Sequence, residues 1–141
     1  MSFTDPLALE AKESDGSAFG TTEARPFIRL STTPDGSIWL DTSSTISEPV
    51  NLVLQNTKIG KLPNVRIKRR VAITRLENGV DNVVRNSTVA LTFELPTHGD
   101  FTMEKFSKDF TTLLSFLGIS VEDMPITLVH SRFLQILRGE S

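Results

Sequence analysis

The stretch NVRIKRRVAITRLENG, residues 64–79, decides how the rest of the chain is read. Val65, Ile67, Val71 and Ile73 keep an alternate spacing, the signature of a strand with one buried face. Between them stand Arg66, Lys68 and Arg70, and Arg69 adds a further cation on the apolar side. These cations repel one another, and no carboxylate lies nearby in the sequence. Whatever the polar face of this strand holds must make that crowding tolerable. Arg69 breaks the alternation: either its charge snorkels at a rim or the strand bulges there.

The crowding belongs to a wider asymmetry. Residues 1–48 carry eight acids and three bases, residues 49–76 carry seven bases and no acid, and residues 77–141 carry nine acids and five bases. A formal net charge of −2 thus conceals a central segment of +7 between two acidic ones. A concentrated basic patch on an acidic chain suggests a localised site for a polyanion; the alternative is neutralisation by acids brought from elsewhere in the fold.

At 141 residues the chain is most simply one domain, long enough to bury roughly 70% of the surface its unfolded form exposes. Its hydrophobic content of 38% is slightly lean, which suggests that a subunit interface completes the burial. No run approaches the ~20 apolar residues of a membrane helix, and the opening MSFTDPLALE lacks the form of a secretory signal. Cysteine is absent, which excludes disulfides, a thiol nucleophile and thiolate metal sites, and fits a cytoplasmic origin.

Outward from the opening stretch, strand signals fill the first two thirds of the chain. Residues 6–13 and 18–26 flank Asp15-Gly16, a hairpin signal, and residues 27–32 and 38–42 flank a turn at Pro34-Asp35-Gly36. Residues 50–57, 65–77 and 83–96 complete the set, with Pro96 halting the last. Residues 77–82, containing Asn78-Gly79, read as an exposed loop. Turn geometry accounts for Gly16, Gly36 and Gly79.

The period then changes. Met103, Phe106, Phe110, Leu113, Leu114 and Leu117 form one helical stripe, with Asp100 or Thr102 as N-cap and Gly118 just past the end. A second helix is expected over about 126–138, after a capping box at Ser120–Asp123. Strands followed by helices predict an α+β fold: an N-terminal β-hairpin, an antiparallel sheet of about five strands, and two C-terminal helices packed on one face. The other face must meet water or a ligand.

Signatures of catalysis are missing. His98 and His130 stand alone, Glu122-Asp123 is explained by capping, and there is no nucleophile elbow, phosphate loop or zinc-protease motif. The sequon at Asn86-Ser87-Thr88 falls inside an expected strand and reads as polar strand surface. No catalytic residue, metal or cofactor is expected.

The expected sheet surface is more informative. With Val65, Ile67, Val71 and Ile73 toward the helices, Arg66, Lys68, Arg70 and Thr74 point the other way. The same alternation adds Asn51, Gln55 and Thr57 from one neighbour and Asn86, Thr88 and Thr92 from another, with no acid until Glu94 at the edge. An ordinary solvated face would mix signs across strands, since opposite charges pair favourably. Basic side chains reach phosphates, while amides and hydroxyls reach bases and sugars, so nucleic acid is the expected ligand. Phe106, Phe110, Phe116 and Phe133 supply more aromatic mass than one stripe needs, and Phe116 lies off it. They suggest a dimer interface; the plainer alternative is that Phe116 is half covered by the second helix.

These features together resemble the coat proteins of the single-stranded RNA bacteriophages, the leviviruses. FTDPLAL precedes the hairpin, antiparallel strands follow with a loop between the two longest, and LQILRGES closes the chain. The resemblance spans the whole length and implies a single coat domain over 1–141. Its parts are a hairpin (1–26), a sheet (27–96) and a helical dimerisation region (100–141). It further implies a homodimer with one continuous sheet and interlocked helices, closing into an icosahedral shell. In it the loop residues Asn78, Gly79, Val80, Asp81 and Asn82 meet neighbouring subunits. On this reading the open face binds genomic RNA, including a hairpin that represses translation, and the protein resides in the virion after assembly in the host cytoplasm. The competing expectation is a dimeric RNA- or DNA-binding module that closes no shell; an enzyme acting on an anionic substrate is a third.

Overall fold

The computed structural model describes residue 3 and residues 5–13, 21–97 and 102–118. Six strands follow one another: β1 (Leu7–Glu13), β2 (Thr21–Thr33), β3 (Gly36–Asp41), β4 (Val50–Ile59), β5 (Arg66–Asn78) and β6 (Val84–Pro96). They form one antiparallel sheet in sequence order, so each strand pairs with its neighbours in the chain. A helix, α1 (Met103–Phe116), comes after.

Six strands in one sheet correct the expected five beside a separate hairpin. The sequence reading broke the chain at Pro26, whereas β2 runs through it, and a boundary between residues 26 and 27 falls inside a strand. Proline is tolerated because its missing N–H faces a place where no ladder bond is due. β3 ends at Asp41, opposite Phe27, and Pro26 contributes only its carbonyl, which accepts from the Thr42 N–H at 2.9 Å. The loop before β6 is also shorter than expected, spanning residues 79–83. The expected second helix lies outside the described residues.

Cross-strand partners share a face, so the register fixes where the core sits. Leu7 pairs with Phe27, Trp39 with Leu52, Leu52 with Ile73 and Leu54 with Val71. Together with Phe3 these residues form the hydrophobic cluster, with Trp39 fully buried at its centre. Trp39 donates its indole N–H to the Ser37 hydroxyl at 2.8 Å, so burial leaves no orphan donor. The Arg29 guanidinium lies 4.4 Å from the Trp39 ring centre and donates to the Phe3 carbonyl at 2.8 Å, which ties the N-terminal segment over the core.

Gly36 proves necessary for a reason other than turn geometry. A Cβ there would collide with the backbone carbonyl of Leu54 on β4. The residue is small because two strands approach closely, not because the turn demands positive φ. Gly79 likewise does not supply the left-handed residue of its loop; Asn82 does, at φ 59°.

α1 starts where capping chemistry allows. The Thr102 hydroxyl accepts from the Lys105 N–H, and Gly118, at φ 81°, follows the last turn. Phe106 and Phe110 both meet Phe93 of β6 edge-on, with ring centroids 5.4 and 5.9 Å apart. Phe93 lies opposite Arg69, in phase with Val71 and Ile73, so α1 sits on the core side of the sheet.

Candidate nucleic-acid interface

The other face is built from the alternate residues of β4, β5 and β6, and register sets them in rows. Thr57, Lys68 and Glu94 make one row; Gln55, Arg70 and Thr92 the next. Val53, Ala72 and Ala90 follow, then Asn51, Thr74 and Thr88. Arg66 lies beyond the first row and Asn86 beyond the last, opposite Leu76. All ten residues singled out by alternation, Thr92 included, therefore share one face, away from α1. The sequence reading overlooked the third row, a strip of small and apolar residues between the cationic end and the amide-hydroxyl end.

The charges on this face are unbalanced. Arg66, Lys68 and Arg70 form a stripe of alternate residues, and Glu94 is the one carboxylate that the register sets among them. Arg66 Nη1 reaches Glu94 Oε2 at 3.3 Å, with both side chains about half exposed, a pair worth little in water. Arg70 Nη1 donates to the neutral Gln55 Oε1 at 3.2 Å, which orients the guanidinium without neutralising it.

On the core side, signs are mixed. Arg25 Nε lies 2.8 Å from Asp41 Oδ2, with the carboxylate almost wholly buried, and Arg75 approaches Glu77 at 3.9 Å. Burial alone would push the Asp41 carboxyl up. The Ser43 hydroxyl and N–H, followed by Arg25, outweigh it and hold the group below the usual carboxylate range. This buried pair escaped the sequence reading, although Trp39 and Asp41 at i and i+2 already placed an acid on the buried face of β3.

Arg69 also lies on the core side. The pairing of β4 with β5 is continuous, so no bulge carries it there. Asn56 stands opposite and accepts from Arg69 Nη1 at 3.0 Å, while Nε is buried without a hydrogen-bond partner. Burial lowers its pKa from the ordinary guanidinium value.

The aromatic residues divide. Phe106 is buried and Phe110 half-buried against Phe93 of the same chain, so both hold α1 to its own sheet. Phe116 is 86% exposed, beside exposed Leu113 and Leu117. On β6, Val89 and Leu91 are exposed on the core side as well. Phe133 lies outside the described residues. In the loop, Asn78 is anchored at its root: its N–H donates to Glu48 Oε1 at 3.1 Å and its side chain to the Ser47 carbonyl at 3.3 Å. Gly79, Asp81 and Asn82 form a tight turn closed by an Arg85–Asp81 ion pair at 2.7 Å, and Val80 projects fully exposed. Hydrogen bonding to Arg85 lowers the Asp81 pKa and raises that of Arg85.

The fold is shared with solved coat-protein structures of other bacteriophages. The subunit of a virus-like particle of bacteriophage EMS014 matches with a TM-score of 0.55 at 15% identity, over 87% of this chain and 80% of that one. A second structure of the EMS014 coat protein gives 0.50 at 13% identity, over 79% and 70%. A virus-like particle of bacteriophage AVE015 gives 0.49 at 10% identity; the match covers 64% of this chain and only 65% of that subunit's length. No protein-family model matches the chain, and no curated protein matches it in sequence.

Proposed function

We propose that this protein is the coat subunit of an RNA phage, a single domain that dimerises, closes into an icosahedral shell and packages single-stranded genomic RNA against the open face of its sheet. The observation that carries the RNA part is the unbalanced stripe of Arg66, Lys68 and Arg70, on a face opposite the helix and beside rows of amides and hydroxyls. Like charges at this spacing are tolerated where phosphates relieve them. Coat-protein folds of other phages support the shell. An RNA hairpin held on the same face couples packaging to translational repression. The loop from Asn78 to Asn82 meets neighbouring subunits, with Val80 at its tip.

Dimerisation has its own support. β6 is an edge strand of the described sheet, 13 residues long, and an open edge of that length invites pairing. Exposed Val89, Leu91, Leu113, Phe116 and Leu117 add apolar surface for a second copy to cover.

Electron microscopy of the purified protein tests the proposal. Uniform closed particles containing RNA are expected, and replacing Arg66, Lys68 and Arg70 together by Ala should lower the ratio of 260 to 280 nm absorbance of those particles. A small discrete dimer with no particles would overturn the shell, and an unchanged ratio would overturn the RNA site.

A further inference from the structure

The two backbone edges of β6 are distinguishable. Thr97 donates its N–H to the Val65 carbonyl at 3.1 Å, and the Val83 carbonyl accepts from Gly79 at 2.9 Å. Pairing between β5 and β6 is unbroken between those points, so odd-numbered residues turn their peptide groups toward β5. Asn86, Thr88, Ala90, Thr92 and Glu94 therefore turn theirs outward, along the free edge of the described sheet.

We infer that a second copy pairs antiparallel with this edge in the register that places Ala90 on the two-fold axis. This rests on the dimer proposed above and assigns its register. A two-fold interface is self-complementary, so each residue must suit the one that symmetry sets opposite. Around Ala90 the sequence reads Thr88-Val89-Ala90-Leu91-Thr92, which mirrors itself in side-chain type. Threonine then meets threonine on the open face, and Val89 meets Leu91 of the second copy on the core side. Val89 is 76% exposed and Leu91 50%, so this pairing covers the two exposed apolar side chains on the core side of the strand with each other. They fall at positions without mutual hydrogen bonds, where side chains approach closest.

Neighbouring registers are poorer. An axis at Val89 sets Leu91 against Ser87 and leaves Leu95 and Pro96 unpaired. An axis at Leu91 sets Val89 against Phe93, already engaged by Phe106 and Phe110, and leaves Val84 and Arg85 unpaired. Only the Ala90 axis pairs the whole strand, with about ten backbone hydrogen bonds between Asn86 and Glu94.

The basic site becomes composite. The row Gln55, Arg70, Thr92 continues into Thr88, Thr74 and Asn51 of the second copy. The row Val53, Ala72, Ala90 continues into its own mirror image. Two Arg70 side chains then flank a floor of alanines, with backbones roughly 20 Å apart from strand spacing and rise. Neither copy alone presents that arrangement.

The absence of cysteine makes the test clean. Single cysteines are introduced by Thr88→Cys, Val89→Cys, Ala90→Cys, Leu91→Cys and Thr92→Cys in the full chain. Each protein is oxidised and run on a non-reducing gel, with light scattering reporting its size beforehand. Ala90→Cys should cross-link most of its chains, because paired Cα atoms about 5.5 Å apart permit a disulfide. Thr88→Cys and Thr92→Cys should fail alone, their symmetry mates being about 13 Å away, yet cross-link when mixed. Preferential cross-linking of Val89→Cys or Leu91→Cys overturns the register and leaves the dimer standing. No cross-link in a protein that scatters as a dimer places the interface away from β6. A monomer overturns both readings.

Discussion

Replacing Arg70 by Ala removes a cation whose side-chain partner is a neutral amide, so on the proposed function nothing is released except a bound phosphate. On a single strand each phosphate contact contributes about 0.7 to the slope of log affinity against log salt. Arg70→Ala should therefore flatten that slope by about 0.7, and Lys68→Ala by about the same. Arg66→Ala should flatten it less, because Arg66 must give up Glu94 at 3.3 Å to engage a phosphate. The triple variant should lose about 2 from the slope. Over a sixfold rise in salt the parent then weakens about fortyfold more than the variant. Glu94→Gln acts oppositely: removing a carboxylate about 8 Å from a bound phosphate is worth about 0.5 kcal/mol in water, an affinity gain of about twofold. Fluorescence anisotropy with a short labelled RNA and unassembled protein measures each slope. Parallel lines for parent and triple variant would refute the assignment of phosphate binding to this face.

Asp41→Asn should destabilise the fold by about 2–3 kcal/mol in urea titrations at fixed protein concentration, since it leaves the mostly buried Arg25 facing an amide; a loss under 0.5 kcal/mol would count against it. Because the folded Asp41 carboxyl titrates below its unfolded value, its contribution is present above about pH 4 and disappears as pH falls through the folded pKa. The parent should lose stability over that acid range more steeply than Asp41→Asn, and equal slopes would contradict the pair. Gly36→Ala should cost at least as much as an overpacked core, about 1–3 kcal/mol, because the Leu54 carbonyl must move; unchanged thermal unfolding would refute the close approach. Phe116→Asp should leave the helix content of the chain intact by circular dichroism while weakening dimerisation at least tenfold in sedimentation; an unaltered dimer would remove Phe116 from the interface.

The open face was legible in the sequence because a period of two survives any tertiary detail. Once Val71 and Ile73 face the core, Arg70 and Thr74 cannot. Carrying the same rule to β4 and β6 required only that apolar residues pair with apolar ones across each ladder, and Gln55 does stand opposite Arg70 and Thr88 opposite Thr74. What failed was anything that depends on where a neighbouring strand stops. Pro26 looked like a boundary because its missing N–H is costly inside a ladder; β3 ends beside it, and the sequence does not announce that end. Gly36 was assigned to turn chemistry for the same reason, since the crowding that selects it comes from β4. The roles of Phe106 and Phe110 depended on which surface α1 meets first. Phe93 was available within the chain, and the aromatic contacts formed there.

Arg69 shows how the two levels combine. Alternation puts it on the core side, and the continuous ladder leaves it there, so its charge has to be accommodated by position along the strand. The core cluster reaches Leu54 and Val71; the next row outward is Asn56 and Arg69, with Phe93 beyond. One row past the aliphatic core, the stem of the arginine can lie along apolar neighbours while an amide opposite accepts from the head group. The accommodation is incomplete, since Nε finds no acceptor, and a buried donor left unsatisfied costs about 1–3 kcal/mol. Arg66, Lys68 and Arg70 carry no such penalty, because they stand on a face where water or a phosphate can reach them. The four clustered cations, Arg66 and Lys68 to Arg70, therefore do different jobs: three concentrate positive potential on the open face, and Arg69 closes the polar end of the core.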